Sequence, residues 1–202
     1  MRGGLKLGFL ASHGGSSMKA ILGAIAEGEL RASASVVISN NADAEALSHS
    51  RALGIPAYHL SETRLGNADA LDRAVAETLA ERGAELIVLS GYMRKIGPLT
   101  LARFRHRILN IHPGPLPKFG GRGMYGRFVH EAVIAAGERL SGICIHVVDD
   151  EYDHGPVLAR REVPVEPGDT AETLAARVRA QEPAFFVDTL RRIAEGTLRL
   201  PG

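Results

Sequence analysis

The chain has 202 residues, 45% of them hydrophobic and 23% charged, with 24 basic against 23 acidic side chains. That length and balance predict one soluble domain over residues 1–202 and leave no basic stripe for nucleic acid. A single cysteine, Cys144, excludes an internal disulfide and a cysteine-rich zinc site. No apolar run is long enough for a signal peptide or a membrane span, which predicts a cytoplasmic protein.

Residues 5–11, LKLGFLA, read as a buried first strand that runs into SHGGSS at 12–17 and then a helix over 18–27. A second strand at 34–39 is closed by Asn40 and Asn41, and a helix over 42–53 is stopped by Gly54 and Pro56. A short third strand is expected at 57–60. Leu71, Val75 and Leu79 recur four apart, which predicts a helix over 69–82 with Gly83 as its C-cap. The apolar centre of 85–90 predicts a fourth strand. It leads into a loop at 91–95, a short helix at 99–104 and a fifth strand at 107–111. A helix over 125–136 should end at Gly137, and 142–148 and 157–165 are strand-like. Asp169 and Glu172 have the spacing of a capping box, and Pro183 should kink or divide the C-terminal helix near Glu182. Strands alternating with helices predict an α/β fold: a Rossmann-like, open, mostly parallel sheet flanked by helices on both faces.

Ligands of such sheets sit at the carboxyl ends of strands. Three expected loops, 12–17, 91–96 and 110–118, follow strands and can meet at one edge. Asn110 and His112 are two apart on a strand and so project from one face. Asp153 lies downstream in a turn-rich segment able to fold back toward them. An amide, an imidazole and a carboxylate to orient it are equipment for acyl-group chemistry. At the first loop, the N–H groups of Gly15, Ser16 and Ser17 would stand unpaired at a helix start. They suit a monophosphate, because the G-x-G-x-x-G spacing and the P-loop lysine are both absent.

Each of these residues also has a plain structural reading. The first loop fits a tight turn needing glycine and a serine cap. His112 fits a strand cap, and Asp153 fits a turn residue bonded to its own backbone. His146, inside a strand, reads as a satisfied core histidine rather than a catalyst, and Cys144 as a small buried residue. Asp149, Asp150 and Glu151 read as a solvated acidic run. His112, His146, Asp153 and His154 match no standard ligand spacing, so no metal is expected.

Together the motifs resemble the folate-dependent formyltransferases, most closely the branch acting on glycinamide ribonucleotide in purine synthesis. The likeness runs from Leu5 to about Thr197. It rests on Ser39 and Asn40, LSGYMR at 89–94, LNIHP at 109–113 with LPK at 116–118, and the stretch 142–156 containing Asp153 and Gly155. It implies the formyltransferase fold and transfer of the formyl group of 10-formyltetrahydrofolate, as co-substrate, to the amine of 5'-phosphoribosylglycinamide. By matching position, it implies Asn110, His112 and Asp153 as the catalytic set. Gly15, Ser16 and Ser17 would hold the substrate phosphate, Glu182 the ribose end, and Arg179 would be a phosphate-binding cation. Met93, Arg94, Lys95 and Ile96 would flank the folate, as would the loop from Val148 through Asp149 and Asp150 to Asp153.

The implied partners are these small molecules, with no nucleic acid or membrane; homodimers occur in the family. The chain departs from the family pattern at His13 and Gly14, at Gly114 and Pro115, over 120–126, at Cys144, and near Ala68, where an arginine able to touch the folate tail is replaced. Rival readings within the fold are another amine acceptor and hydrolysis of the same folate by water. A nucleotide-binding Rossmann module is opposed by the missing glycine fingerprint and the missing acid after the second strand.

Overall fold

The structure is a computed structural model and describes residues 4–202. Strands β1 (Leu5–Leu10), β2 (Ala32–Ser39), β3 (Ala57–His59), β4 (Leu86–Leu89), β5 (Ile108–His112), β6 (Leu140–Val147) and β7 (Val157–Pro164) form one sheet. Its order is β3-β2-β1-β4-β5-β6-β7. The first five strands run parallel, β6 is antiparallel to β5, and β7 is antiparallel to β6. The expected open, mostly parallel α/β sheet is therefore present. From β1 the chain moves outward through β2 and β3, then returns to lay β4 on the other side of β1. That reversal is the topological switch point at which doubly wound sheets bind ligands.

The helices are α1 (Ser16–Ala26), α2 (Glu45–Ala52), α3 (Glu62–Leu65), α4 (Ala68–Glu81), α5 (Pro98–Arg103), α6 (Arg127–Ala135), α7 (Ala171–Arg179) and α8 (Glu182–Ala194). Alternate strand residues feed two separate cores, as a period of two requires. Leu7, Phe9, Val37, Leu86, Val88 and Leu109 join Met18 and Ile21 of α1 with Phe185, Phe186 and Leu190 of α8. Leu10, Val36, Ile38, Ile87, Leu89 and Ile108 join Val75 and Leu79 of α4. Both sheet faces are thus dry, which explains the near-continuous apolar runs of the central strands. Gly8 lets α4 approach, because a Cβ there would collide with Leu79, Ala84 and Ile87.

Several boundaries differ from the sequence reading. Helix α1 starts two residues earlier than expected, at Ser16, and α2 starts at Glu45 rather than 42. The late start of α2 follows from Asn41, whose N–H donates to Ser39 Oγ and whose side chain donates to the Ser12 carbonyl, holding a turn. Helix α3 was not expected. The capping box is shifted by one: Thr170 is the N-cap of α7 and Thr173 its reciprocal partner. Asp169 is drawn away to Arg177, at 2.6 and 2.9 Å. The predicted break at Pro183 is present, with α7 ending at Arg179 and α8 starting at Glu182. Helix α5 is capped from a distance. Buried Asp72 of α4 accepts from Leu99 N–H at 2.7 Å and Thr100 N–H at 3.0 Å. Among the described residues, no helix is long and apolar enough to cross a membrane.

Candidate active site

Strand β5 ends in Asn110 and His112, and its antiparallel register sets Asn110 opposite His146 and His112 opposite Cys144. Two polar pairs therefore sit side by side on one face, because residues two apart share a face. The turn after β6 then brings back Asp153, whose φ of 55° is in the left-handed region. Asp and Asn enter that region more readily than other non-glycine residues. Asp153 Oδ2 lies 3.3 Å from His112 Nδ1 and its Oδ1 lies 3.4 Å from His146 Nε2. Gly121 N–H donates to Oδ2 at 3.1 Å. The carboxylate thus bridges two buried imidazoles.

Burial alone would raise the Asp153 carboxyl. The hydrogen bonds from His112 and His146, the charge of His112 and the Gly121 N–H outweigh it and hold the carboxyl well below the usual range. His112 Nε2 faces the Phe119 carbonyl at 2.7 Å, so that nitrogen carries a proton. A second proton, taken up at Nδ1, would meet the Asp153 carboxylate. His146 Nδ1 faces the Val147 carbonyl at 3.1 Å, while its Nε2 stands 3.1 Å from Asn110 Nδ2. The arrangement can present an amide N–H to a developing oxyanion and can hold or release a proton beside it.

The loops after β1 and β4 meet at the switch point. Ser12 N–H donates to the Gly91 carbonyl at 3.1 Å, and Met93 N–H donates to Ser12 Oγ at 2.7 Å. Gly15 is the N-cap of α1 with φ of 63°, and a Cβ there would also press on Met18. Met18 N–H is taken by Ser90 Oγ at 3.0 Å. The preceding N–H groups, of Ser16 and Ser17, lie in the first turn, where no intrahelical carbonyl reaches them. Ser16 is exposed and Ser17 is buried.

Residues expected around a folate fall on two facing loops. Ile96 is buried and Val148 packs against the same core as Ile96, Leu89, Leu10 and Ile108. Tyr92 packs there too, and burial pushes its hydroxyl up to about 12 against the pull of Arg94. Met93 is exposed, and Lys95 Nζ lies 5.9 Å from the Tyr152 ring centroid, linking the two loops. Asp150 is exposed. The Asp149 carboxylate is occupied by the turn itself, accepting from Glu151 N–H at 3.0 Å and pairing with His154 at 2.8 Å.

The α7–α8 junction carries Arg179 and Glu182, and Glu182 lies within electrostatic range of His112. Burial raises the Glu182 carboxyl, and the charges of Arg179 and His112 oppose that rise. Among the described residues, no group of three or more His, Cys, Asp or Glu has the arrangement of a metal site.

The model of the formyl transferase family matches residues 5–190. The chain belongs to the formyl transferase family. It is 37% identical over 190 residues to the chloroplastic phosphoribosylglycinamide formyltransferase of Vigna unguiculata, an alignment covering 94% of this chain and 61% of that longer one. It is 35% identical over 195 residues to the phosphoribosylglycinamide formyltransferase of Haemophilus influenzae, covering 96% of this chain and 90% of the relative. Among solved structures it resembles glycinamide ribonucleotide transformylase 1 from Symbiobacterium toebii, with a TM-score of 0.90 and 35% identity over 100% of this chain and 93% of that one.

Two residues of the cluster were missed by sequence reasoning. His146 is buried, as expected of a core histidine, but the side of the strand it occupies makes it a partner of both Asn110 and Asp153. His130 of α6 is buried, and Arg179 and His112 both act on it electrostatically. Its Nδ1 has no hydrogen-bond partner among the described residues. Burial is the main cause that lowers its pKa, which favours the neutral ring. The only sequence signal for His130 is a histidine on the apolar face of an amphipathic helix.

Proposed function

We propose that the protein transfers the formyl group of 10-formyltetrahydrofolate to the amine of 5'-phosphoribosylglycinamide, in purine synthesis. The observation that carries this reading is the convergence of Asn110, His112 and Asp153 at the end of β5, in a chain whose formyl transferase match spans 5–190. The 12–17 loop, with the exposed first turn of α1, takes the substrate phosphate. Arg179 and Glu182, electrostatically coupled to His112, take the remainder of that substrate. The pterin packs on the apolar floor of Ile96 and Val148, between the 91–96 and 148–153 loops.

Attack of the amine on the formyl carbon places negative charge on the formyl oxygen. Asn110 Nδ2 donates to that oxygen and the positive charge of protonated His112 stabilises it at short range; removing one oxyanion donor costs about 10²–10³ in rate. Asp153 orients His112 and holds a proton at Nδ1. Directly or through water, it also assists proton transfer from the attacking amine to N10 of the folate. His146 fixes both Asn110 and Asp153. The residues described need no covalent enzyme intermediate and no metal.

The test is spectrophotometric turnover of 10-formyltetrahydrofolate with and without phosphoribosylglycinamide. Turnover that requires the amine supports transfer, and equal turnover without it would make the protein a hydrolase. His112→Ala should lower kcat by about 10²-fold or more; near-normal turnover in that variant, with the fold intact, would remove His112 from the mechanism.

A further inference from the structure

Ser12 follows β1, the strand that lies between β2 and β4, and it is buried. Each polar group it carries is engaged by a neighbouring loop. Its N–H donates to the Gly91 carbonyl at 3.1 Å, and its hydroxyl accepts from Met93 N–H at 2.7 Å, both in the loop after β4. The same hydroxyl donates to Asn40 Oδ1 at 2.5 Å, and the Ser12 carbonyl accepts from Asn41 Nδ2 at 2.6 Å, both just after β2. Asn40 Nδ2 donates to Asn41 Oδ1 at 3.0 Å, so the two asparagines brace each other. One buried serine thus ties together the chain ends that follow β1, β2 and β4.

This knot lies between the two ligand sites of the proposed reaction. Ser12 opens the loop that runs into the first turn of α1, and Met93 belongs to the loop assigned above to the folate. The N–H and the hydroxyl proton of Ser12 are both committed within the protein, so neither remains to donate to a ligand. We propose that Ser12 is a positioning residue that couples the two sites, so that a ligand held by the 12–17 loop and one held by the 91–96 loop each strengthen binding of the other. The identity of the two ligands rests on the proposed function.

The coupling follows from the cost of displacing Ser12. Buried backbone and hydroxyl groups are expensive to leave unpaired, so a shift of Ser12 must carry its partners with it. A phosphate drawn onto the N–H groups of Ser16 and Ser17 fixes the chain just after Ser12. Gly91 and Met93 are then fixed through their hydrogen bonds to Ser12. The second ligand meets a loop that is already ordered and loses less conformational entropy on binding. Reversing the order of addition gives the same factor, because linkage between two binding sites is reciprocal.

The experiment is calorimetry with phosphoribosylglycinamide and tetrahydrofolate, which carries no formyl group and so cannot react. Each Kd is measured with the other site empty and then saturated. Wild type should bind each ligand about fivefold more tightly, or more, when the other is present, by the same factor in both directions. In Ser12→Ala that factor should fall toward one. Ser35→Ala is the matched control: it removes a hydroxyl that donates to the Leu7 carbonyl at 3.0 Å, between β1 and β2 at a distance from their carboxyl ends. It should keep the wild-type factor. Equal affinities with and without the second ligand in the wild-type protein overturn the proposal, and that comparison requires no substitution. A coupling factor that survives Ser12→Ala, or that is lost equally in Ser35→Ala, overturns it too. A protein that couples the two ligands but transfers no formyl group would instead overturn the functional reading.

Discussion

Asp153→Asn is the sharpest perturbation the site allows. It preserves side-chain shape, and Asn tolerates the left-handed backbone of this position, where φ is 55°. It removes the charge that bridges His112 at 3.3 Å and His146 at 3.4 Å. It also forces a choice: an amide carries one oxygen, whereas the carboxylate serves two imidazoles and the Gly121 N–H. Hydrogen bonds to charged groups are worth about 1.5–3 kcal/mol each. Loss of one in the transition state slows turnover about 10–10²-fold. Loss of the carboxylate that orients a catalytic imidazole extends the effect toward about 10⁴-fold, as in hydrolases with a histidine–aspartate pair.

We therefore expect kcat to drop between about 10² and 10⁴, measured by formylfolate absorbance at saturating substrates. Stability gives an independent check. The folded carboxyl lies below its ordinary value, so the unfolded chain binds that proton more tightly. Its stabilising contribution is present above the unfolded value of about 3.9 and is lost as pH falls through the lower folded value. Denaturant melts should show wild type more stable than Asp153→Asn at pH 7, with the gap narrowing below about pH 4. Unchanged turnover, or a stability gap that does not vary with pH, would refute the bridging role.

Ser17→Ala, at a buried position in the first turn of α1, should raise the Kd for phosphoribosylglycinamide more than that for the folate, read by titrating each ligand alone. Glu182→Gln should stabilise the protein while weakening that same substrate. Burial raises the folded carboxyl, so the charged form costs stability as pH climbs through the ordinary carboxylate range. The gain in Tm should appear at neutral pH and vanish below about pH 4. Asp72→Ala should cost about 1–3 kcal/mol in urea melts, because the first-turn N–H groups of Leu99 and Thr100 in α5 lose the carboxylate that caps them, and that of Thr100 remains buried.

The central strands were legible because burial on both faces writes itself as continuous apolar runs, and the strand-end residues Asn110 and His112 and the loop residue Gly15 were legible from their positions at the ends of such runs. Helix α3 was not, since a four-residue segment is too short for a 3.6-residue period to register. The capping box slipped by one because Asp169 and Thr170 are both competent caps. Only the tertiary reach of Arg177 decides between them. His146 was invisible for a related reason. Its partnership with Asn110 depends on the register of an antiparallel pair separated by the whole of the 113–139 segment, and no local pattern encodes that register.

What the motif does encode is the means of convergence. The segments flanking Asn110, His112 and Asp153 carry glycines where two pieces of chain pass in contact. A Cβ on Gly114 would strike Val129 and crowd the His112 ring, one on Gly120 would strike Leu116 and crowd Asp153, and one on Gly155 would enter the Val147 carbonyl. The first two contacts press the proline-rich loop after β5 against α6 and against the turn after β6, and the third folds that turn onto the end of β6. They bring Gly121 N–H to the Asp153 carboxylate and the Phe119 carbonyl to His112. The buried polar groups are costly to leave unpaired, so a loop packed this closely also leaves the Asp153 carboxylate few alternatives to its position between the two imidazoles. The glycines and the polar side chains of the candidate site thus form one geometric specification: the small residues fix the approach, and the approach brings the amide, the imidazoles and the carboxylate together.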